Sequence, residues 1–350
     1  MAYTTIDDPT AHFETKLWSG TGSTQSITNM NFQPDFIWWK ERSSTSHHNL
    51  TDSVRGVSKQ IYPNRNNAET SYSGSEISAF NSDGFSIGTS SDTNANGETY
   101  VSWNFKAGTS FSNDASSTGV GSLDSSGSKN TTAGFSIISF TGTESGTPSI
   151  AHGLSSTPEW IFSRPRDVSD NWMVFHGSFS AQDYMILNTT AAKASASSVW
   201  NSLPSSTVIN MGDNAGVNDD GAMIMYAFHS VKGFSKFGSY TGNGDADGTF
   251  VYTGFRPAWL IIKQSSGAGN DWLIYDNKRD ASNVANKLLV ANANGTEATG
   301  QSFNYIDLLS NGFKLRGSDA RNNGSGGTMI YMAFAESPFV NSNGVPNNAR

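Results

Sequence analysis

The residues best spaced for chemistry are two aspartate–arginine pairs that lie just past predicted strands, Asp52 with Arg55 and Asp276 with Arg279. The pairs occupy matching positions of an internal repeat, and a third copy has the uncharged His176 there. A carboxylate and a guanidinium three residues apart can hold a turn by charge-assisted hydrogen bonds. This role is the favoured interpretation, and the alternative is a small polar binding site in two of the three repeats.

Carboxylates also recur in loops, and the pairs are Asp167 with Asp170, Asp219 with Asp220, and Asp245 with Asp247. Paired carboxylates could drive glycoside hydrolysis, but aspartate is also the ordinary chemistry of tight turns, so the turn role is favoured. Segment 213–221 loosely resembles an oxygen-rich Ca²⁺ loop, without the alternating ligands or the final bidentate glutamate.

The histidines show no metal-ligand spacing: His47 and His48 are adjacent, and the others are scattered at His12, His152, His176 and His229. Cysteine is absent, and so are the nucleophile-elbow and phosphate-loop motifs. We therefore assign no catalytic, metal or cofactor-binding residue, leave the ligand-binding residues unknown, and predict a protein that is not an enzyme.

Nine tryptophans are many for 350 residues, and most lie at recurrent strand positions where core packing is expected. Trp38 and Trp39 are adjacent, so one ring should face the core and the other away from it. Outward-facing aromatic rings beside polar loops could stack on sugars. This would give weak glycan adhesion that becomes strong through multivalency.

Composition excludes several classes. Charged residues make up 15% and the net charge is −8, with no basic cluster, so a nucleic-acid partner is not expected. The amino-terminal residues lack a signal-peptide pattern, and no apolar run is long enough to cross a bilayer, so no membrane insertion is expected. The missing charge is replaced by serine, threonine, asparagine and glycine, which is typical of turns between strands.

Three copies of one pattern organise the chain. Each has a strand entering a glycine turn, then a proline before an aromatic–aliphatic run, and finally an aromatic strand. The closing strands lie at 99–105, 223–228 and 329–334. Short strands separated by turns predict an all-β fold of three tandem β-sandwich, jelly-roll-like domains. Short helical turns are expected only within 180–198 and 278–290.

The predicted boundaries are an amino-terminal arm (1–16), three β-sandwich repeats (17–107, 134–231 and 232–336), a Gly/Ser-rich linker between the first two (108–133), and a carboxyl-terminal tail (337–350). Because the linker has few apolar residues, we expect it to be flexible and the first domain to be hinged. The second and third domains are expected to pack directly against each other.

Several segments resemble a family of repeated β-rich domains in virion structural proteins of marine tailed phages. They are 2–7, 34–38, 52–56, 80–85 and 103–108, and in the third repeat 233–257, 272–279 and 311–317. The resemblance covers nearly the whole chain. It implies a place in a phage particle and carries over no catalytic or binding residue.

The leading hypothesis is therefore a non-enzymatic virion protein, in a tail fibre or similar appendage, that contacts host-surface glycan. The alternatives are a capsid decoration or neck protein without a receptor role, and a particle-borne glycan-degrading enzyme. Expected partners are other virion proteins and further copies of this chain, with a trimer expected by analogy. No cofactor is expected, and assembly would take place in the host cytoplasm.

Overall fold

The computed structural model describes residues 3–299 and 305–348. After a 3-10 helix (Pro9–Ala11), the first repeat contains β1 (Phe13–Ser19), β2 (Gln25–Ile27), β3 (Phe36–Glu41), β4 (Asn49–Asp52), β5 (Lys59–Gln60), β6 (Thr70–Ser71), β7 (Ile77–Asn81), β8 (Gly84–Ile87), α1 (Ser91–Asn94) and β9 (Thr99–Phe105).

The second repeat is preceded by β10 (Thr109–Asn113), α2 (Ala115–Thr118) and β11 (Ser125–Asn130). Its own elements are β12 (Phe135–Thr141), β13 (Ser149–Ala151), β14 (Trp160–Pro165), β15 (Met173–His176), β16 (Asp183–Ile186), β17 (Ala194–Ser195), β18 (Val208–Asn210), α3 (Ala215–Asn218) and β19 (Ala222–Phe228).

The third repeat contains β20 (Ser235–Thr241), β21 (Phe250–Tyr252), β22 (Phe255–Gln264), β23 (Leu273–Asp276), β24 (Leu289–Val290), β25 (Ile306–Leu309), β26 (Gly312–Leu315), α4 (Ala320–Asn323) and β27 (Thr328–Pro338). The prediction of an all-β fold is confirmed. No helix among the described residues is both long and apolar enough to cross a membrane.

Each repeat builds one main antiparallel sheet and one small sheet in the same strand order. The main sheets run β1-β9-β3-β4, β12-β19-β14-β15-β16 and β20-β27-β22-β23-β24. The second is extended by β11 and β10 past β12 and by β17 past β16. The small sheets are β2-β8-β7, β13-β18 and β21-β26-β25, and the first repeat also has the two-stranded sheet β5-β6. The closing strand of each repeat therefore lies inside its main sheet, which explains its continuous apolar sequence.

Both faces of the inner strands of each main sheet are buried. Trp38 lies on the face that points to a core shared by all three repeats, whereas Trp39 packs in a separate core beneath the small sheet of the first repeat. The expectation that one of these rings faces away from the core is wrong. Adjacent strand residues do point to opposite faces, but here both faces are covered.

The shared core lies on a pseudo-threefold axis, marked by the last residues of β9 and β19 and the matching residue of β27. The rings of Phe105, Phe228 and Phe334 contact one another pairwise, with centroids 5.7, 4.9 and 6.0 Å apart. Aromatic clusters of this kind add geometry-dependent stabilisation to their buried area. The three repeats thus meet at one point, each in contact with the other two.

Equivalent contacts close the ring between repeats. The His48 Nε2 donates to the Val290 carbonyl at 3.0 Å, from the first repeat to the third. At the matching positions, Trp172 Nε1 donates to the Tyr62 carbonyl at 2.8 Å, and Trp272 Nε1 to the Ile186 carbonyl at 3.1 Å. The prediction of a hinged first domain is wrong, because this repeat contributes to the shared core and bonds to both others.

A buried asparagine at the end of a short helix positions the glycine turn of each repeat. Asn94 is the last residue of α1, which Ser90 caps. It accepts from the Thr21 N–H at 2.8 Å and donates to the Gly88 carbonyl at 2.7 Å. Asn218 and Asn323 hold their own turns in the same way. A Cβ on Gly20 would overlap the carbonyl of Ala95, so glycine is required there.

Three boundary predictions are corrected. Segment 108–133 is a β-hairpin with a helical turn, whose strand β11 pairs with β12 along Ser125–Asn130, so it is not a flexible linker. Backbone pairing needs no apolar side chains, which is why composition missed it. The arm 1–16 already contains the start of β1 and buries Ile6 in the shared core, and the tail 337–350 bonds back through Ser342 N to Asp7 Oδ1 at 2.7 Å.

The predicted helical turns are also wrong. Segment 180–198 forms β16 and β17, and segment 278–290 forms turns and β24. The helical turns lie instead at α1, α3 and α4, immediately before each closing strand, and at α2 in the hairpin. Their capping residues are ordinary turn residues, so the sequence offers no apolar periodicity from which to predict a helix.

Candidate functional site

The first aspartate–arginine pair lies in the interior, between the first and second repeats. The Arg55 Nε donates to Asp52 Oδ2 at 2.6 Å, and its terminal nitrogen contacts Glu69 at 3.0 Å. Glu69 also accepts two hydrogen bonds from Arg166 of the second repeat, at 2.9 and 3.0 Å. Tyr226 of the second repeat donates its hydroxyl to Asp52 Oδ2 at 2.6 Å. The pair therefore holds its own turn and also joins two repeats.

The second pair repeats this arrangement between the third and first repeats. The Arg279 Nε donates to Asp276 Oδ2 at 2.5 Å, and Arg279 contacts Glu297 at 3.3 Å. Glu297 accepts two hydrogen bonds at 2.9 Å from Arg42 of the first repeat. Trp103 takes the role of the tyrosine and donates its indole N–H to Asp276 Oδ2 at 3.1 Å.

These charges stabilise one another. Burial alone would raise the pKa of the Glu69 carboxyl, but the hydrogen bonds from Arg166 and the charge of Arg55 outweigh it and lower that pKa. The pKa of Glu297 is lowered against burial in the same way, by Arg42 and Arg279. The side chains of Asp52, Arg55, Asp276 and Arg279 are fully shielded from solvent, so a binding site made from these pairs would have no access.

The third interface, between the second and third repeats, has different chemistry at the same backbone positions. His176 replaces the aspartate, and its Nδ1 accepts the Ser178 N–H at 3.0 Å. Met332 occupies the strand position of Trp103 and Tyr226. The backbone N–H of Lys193 donates to the Ser265 carbonyl at 2.9 Å, and the Lys193 ammonium pairs with Asp183. At the other interfaces, the backbone N–H groups of Glu69 and Glu297 donate in the same way to the carbonyls of Arg166 and Arg42.

The loop carboxylates do not form a metal site among the described residues, where no cluster of three or more histidine, aspartate or glutamate side chains is suited to a metal ion. Asp219 and Asp220 lie near Glu144, Asp167 and Asp170. Burial, together with the charges of these carboxylates, raises the pKa of Asp219. Segment 213–221 is the Asn214-capped turn that includes α3.

Asp247 is largely exposed and pairs with Lys314 at 2.8 Å. His48 is completely buried: Trp38 Nε1 donates to its Nδ1 at 2.9 Å, and burial lowers its pKa well below the ordinary value. His47 lies nearer the surface, where Asn64 Nδ2 lies 2.9 Å from its Nδ1. These residues have structural partners that account for their positions.

All nine tryptophans are buried, so none can stack on a sugar at the surface. The largest exposed aromatic side chains lie instead on β21, where Phe250 is 44% and Tyr252 47% exposed. Sequence reasoning missed them because β21 is a three-residue strand outside the recurrent tryptophan positions. The available signal was the alternation Phe250-Val251-Tyr252, which places two aromatic rings on one face.

Tyr252 lines a groove of 470 Å³ between the second and third repeats, here called the tyrosine groove, lined by Tyr3, Glu159, Ser230, Lys232, Lys236 and Tyr252 among others. The hydroxyls of Tyr3 and Tyr252 are 2.7 Å apart, and Tyr3 also donates to the Gly254 carbonyl at 3.2 Å. This volume is in the range of small-molecule sites.

A larger groove of 770 Å³ lies beside the hairpin β10–β11 and is here called the serine groove. Ser112 pairs in register with Ser126, and Ser126 with Ser139, so three hydroxyl-bearing residues form one row across β10, β11 and β12. Arg166 also lines this groove. The row presents hydrogen-bonding groups without an aromatic platform.

The fold and its polar networks define a class of all-β protein in which three repeats close into a pseudo-threefold ring around one core. The chain belongs to the family described as a domain of unknown function, DUF7483, whose model matches residues 8–338. The match spans all three repeats. A search among curated proteins found no match.

Proposed function

We propose that this protein is a non-enzymatic structural protein of a bacteriophage virion, placed in a tail fibre or similar appendage that contacts host-surface glycan. The observation that carries the proposal is the use made of the chain's buried charges. Both aspartate–arginine pairs and their glutamates bridge repeats, so the polar chemistry visible in the sequence serves assembly of the ring. The resemblance to virion structural proteins is the basis for proposing that this ring belongs to a phage particle.

Two surface features support contact with glycan. The serine groove offers a row of hydroxyls, and the tyrosine groove offers aromatic rings beside charged side chains. A rigid scaffold that carries such grooves on its surface suits adhesion strengthened by many copies on one particle. Further copies of this chain and other virion proteins are the proposed partners.

The second candidate is a capsid decoration or neck protein without a receptor role. One support is the absence of a stalk-forming helix in the part of the chain that the structure describes. The other is the hydrogen bond between Asp7 and Ser342, which joins the segment before β1 to the segment after β27. Recombinant protein that blocks phage adsorption would favour the appendage, and protein that leaves adsorption unchanged would favour the decoration role.

The test of the proposed function is immunogold labelling of purified phage particles with antibody against this chain. Labelled tails or appendages are expected. Label confined to the capsid shell would move the protein to the decoration class, and particles without label would contradict a virion role. Release of reducing sugar from host envelope by purified protein would instead support the glycan-degrading alternative.

A further inference from the structure

The tyrosine groove combines two kinds of side chain: partly exposed aromatic rings, and lysines that form no ion pair among the described residues. Tyr252 is among the most exposed large apolar or aromatic side chains of the described residues. Its position is fixed by the bond to Tyr3, so its ring presents a face at low conformational cost.

The lysines are held in place by the rings rather than by carboxylates. The Lys232 ammonium lies 4.5 Å from the centroid of the Tyr3 ring, and the Lys236 ammonium lies 5.5 Å from that of Tyr252. Lys236 also donates to the Tyr252 carbonyl at 2.7 Å. Within residues 3–299 and 305–348, neither lysine forms an ion pair, although the chain carries a net charge of −8.

Glu159 provides the one carboxylate of the groove, and it is already engaged. Its Oε2 accepts the Ser230 N–H at 2.5 Å, which directs this oxygen to the backbone. The groove therefore holds two ammonium groups and one carboxylate, and that carboxylate already accepts a backbone hydrogen bond. Partial burial lowers the pKa of Lys236, as expected for an ammonium that lacks a close counter-ion.

We propose that the tyrosine groove binds an acidic carbohydrate chain, with Tyr3 and Tyr252 packing against the sugar and Lys232 and Lys236 pairing with its anionic groups. The apolar C–H face of a sugar ring suits an aromatic platform, and a carboxylate or sulfate on the sugar supplies the charge that the lysines lack. This inference rests on the proposed function, because it names the class of glycan that such a surface protein would contact.

The groove lies at a junction that the ring itself creates. Tyr3 comes from the amino-terminal segment, Glu159 precedes β14 of the second repeat, and Tyr252 lies on β21 of the third. The Thr4 hydroxyl donates to the Lys232 carbonyl at 3.0 Å and fixes the segment that carries Tyr3. A ligand would therefore bind only to the assembled ring, and isolated repeats would lack part of the site.

The test is calorimetric titration of the full chain with oligogalacturonate, which is carboxylated, and with carrageenan oligosaccharide, which is sulfated; dextran oligosaccharide serves as the neutral comparison. We expect at least one acidic probe to bind, more weakly as ionic strength rises. Tyr252→Ala should weaken this binding about tenfold or more, and Lys236→Gln should weaken acidic probes while leaving any dextran binding unchanged.

Phe250→Ala is the matched control, because Phe250 has similar exposure on the same strand but does not line the groove. It should leave affinity unchanged, and circular dichroism checks that each variant is folded. Absence of binding by both acidic probes, or equal losses in Phe250→Ala and Tyr252→Ala, would overturn the proposal. Labelling of virions is a separate readout, so sugar binding without virion label would remove the particle role and retain the site.

Discussion

The three interfaces between repeats fill the same backbone positions with two different sets of side chains. Between the first and second repeats and between the third and first, a buried aspartate pairs with an arginine and accepts a hydrogen bond from an aromatic residue of the neighbour. Between the second and third repeats, His176 occupies the aspartate position and Met332 the aromatic donor position. The backbone arrangement is retained in all three.

This difference shows that the ring does not require a buried aspartate–arginine pair at every interface. The buried charge between the second and third repeats is the ammonium of Lys263, which donates to the Thr190 carbonyl at 3.3 Å. Replacing a buried ion pair by uncharged packing is often neutral, whereas removing one partner leaves a charge without compensation. We infer that the two charged networks mainly select which repeats meet. Each aspartate–arginine pair lies within one repeat, so this selection comes from the donors of the neighbouring repeat. They are Tyr226 and Arg166 at one interface, and Trp103 and Arg42 at the other.

The largest expected effect is from breaking one network. Arg279→Met leaves Asp276 buried without its arginine, and should lower the free energy of unfolding by about 3–5 kcal/mol. Urea denaturation measures this loss. Arg316→Met, at a more exposed arginine, is the matched control and should have little effect.

Copying the residues that replace the aspartate–arginine pair in the second repeat should restore much of that stability. The double variant Asp276→His with Arg279→Phe places the residues of the second repeat, His176 and Phe179, in the third. It should unfold at a higher urea concentration than Arg279→Met does. If the double variant were as unstable as Arg279→Met, the histidine and phenylalanine of the second repeat could not replace the aspartate–arginine pair of the third.

The next effect is a pH dependence that arises from His176, at the interface between the second and third repeats. Burial lowers the pKa of His176 to about 4. Its contribution is complete above the unfolded pKa of about 6.5 and is lost as pH falls from there towards 4. The difference in unfolding free energy between wild type and His176→Asn should therefore shift by about 3 kcal/mol between pH 7 and pH 4, in favour of the variant.

The remaining histidines and the glutamates Glu69 and Glu297 are present in both proteins, so their contributions cancel in this difference. Urea unfolding at several pH values supplies the measurement. A difference between the two proteins that does not change with pH would contradict a buried neutral His176.

A moderate effect is expected from a single hydroxyl at a charged interface. Tyr226→Phe removes the donor to Asp52 Oδ2 and keeps the ring, so stability should fall by about 1.5–3 kcal/mol. Tyr184→Phe, on a partly exposed tyrosine of β16, is the control and should change stability far less. Equal effects would show that the hydroxyl of Tyr226 has no special role.

The smallest effect concerns the outer pairs. Arg42→Lys replaces a two-bond contact with Glu297 by a single charge, and should cost about 0.5–1 kcal/mol. Lys193→Met, at the position between the second and third repeats that matches Glu297, should cost no more, because that ammonium is 37% exposed. Thermal melts at low and high salt compare them. If either variant lost more stability than Tyr226→Phe does, the predicted order of effects would be wrong.

The all-β fold, the three repeats and the burial of the tryptophans could be predicted from the sequence, because aromatic strands and glycine turns recur at matching positions. The turn-holding role of Asp52 with Arg55 was also readable from their spacing. The neighbours across the interface were not, since Tyr226 and Trp103 lie more than a hundred residues away and carry no local signal.

Closure of the ring was missed for a related reason. Continuous apolar strands indicate that both faces of a sheet are buried. They do not show whether the residues that cover the second face belong to the same repeat or to its neighbours. The tyrosine groove was missed because Tyr3, Lys236 and Tyr252 come from separate segments. The hairpin at 108–133 was missed because its strands are stabilised by backbone pairing, with few apolar side chains.

The central claim is that the three repeats form one cooperative unit around the contacts of Phe105, Phe228 and Phe334. Differential scanning calorimetry of the intact chain tests it most directly, by comparing the calorimetric enthalpy with the van't Hoff enthalpy. A single transition with equal enthalpies is predicted. The contradicting result is a separate transition for each repeat, with a calorimetric enthalpy roughly two to three times the van't Hoff enthalpy. That result would show that the repeats unfold as independent tandem domains.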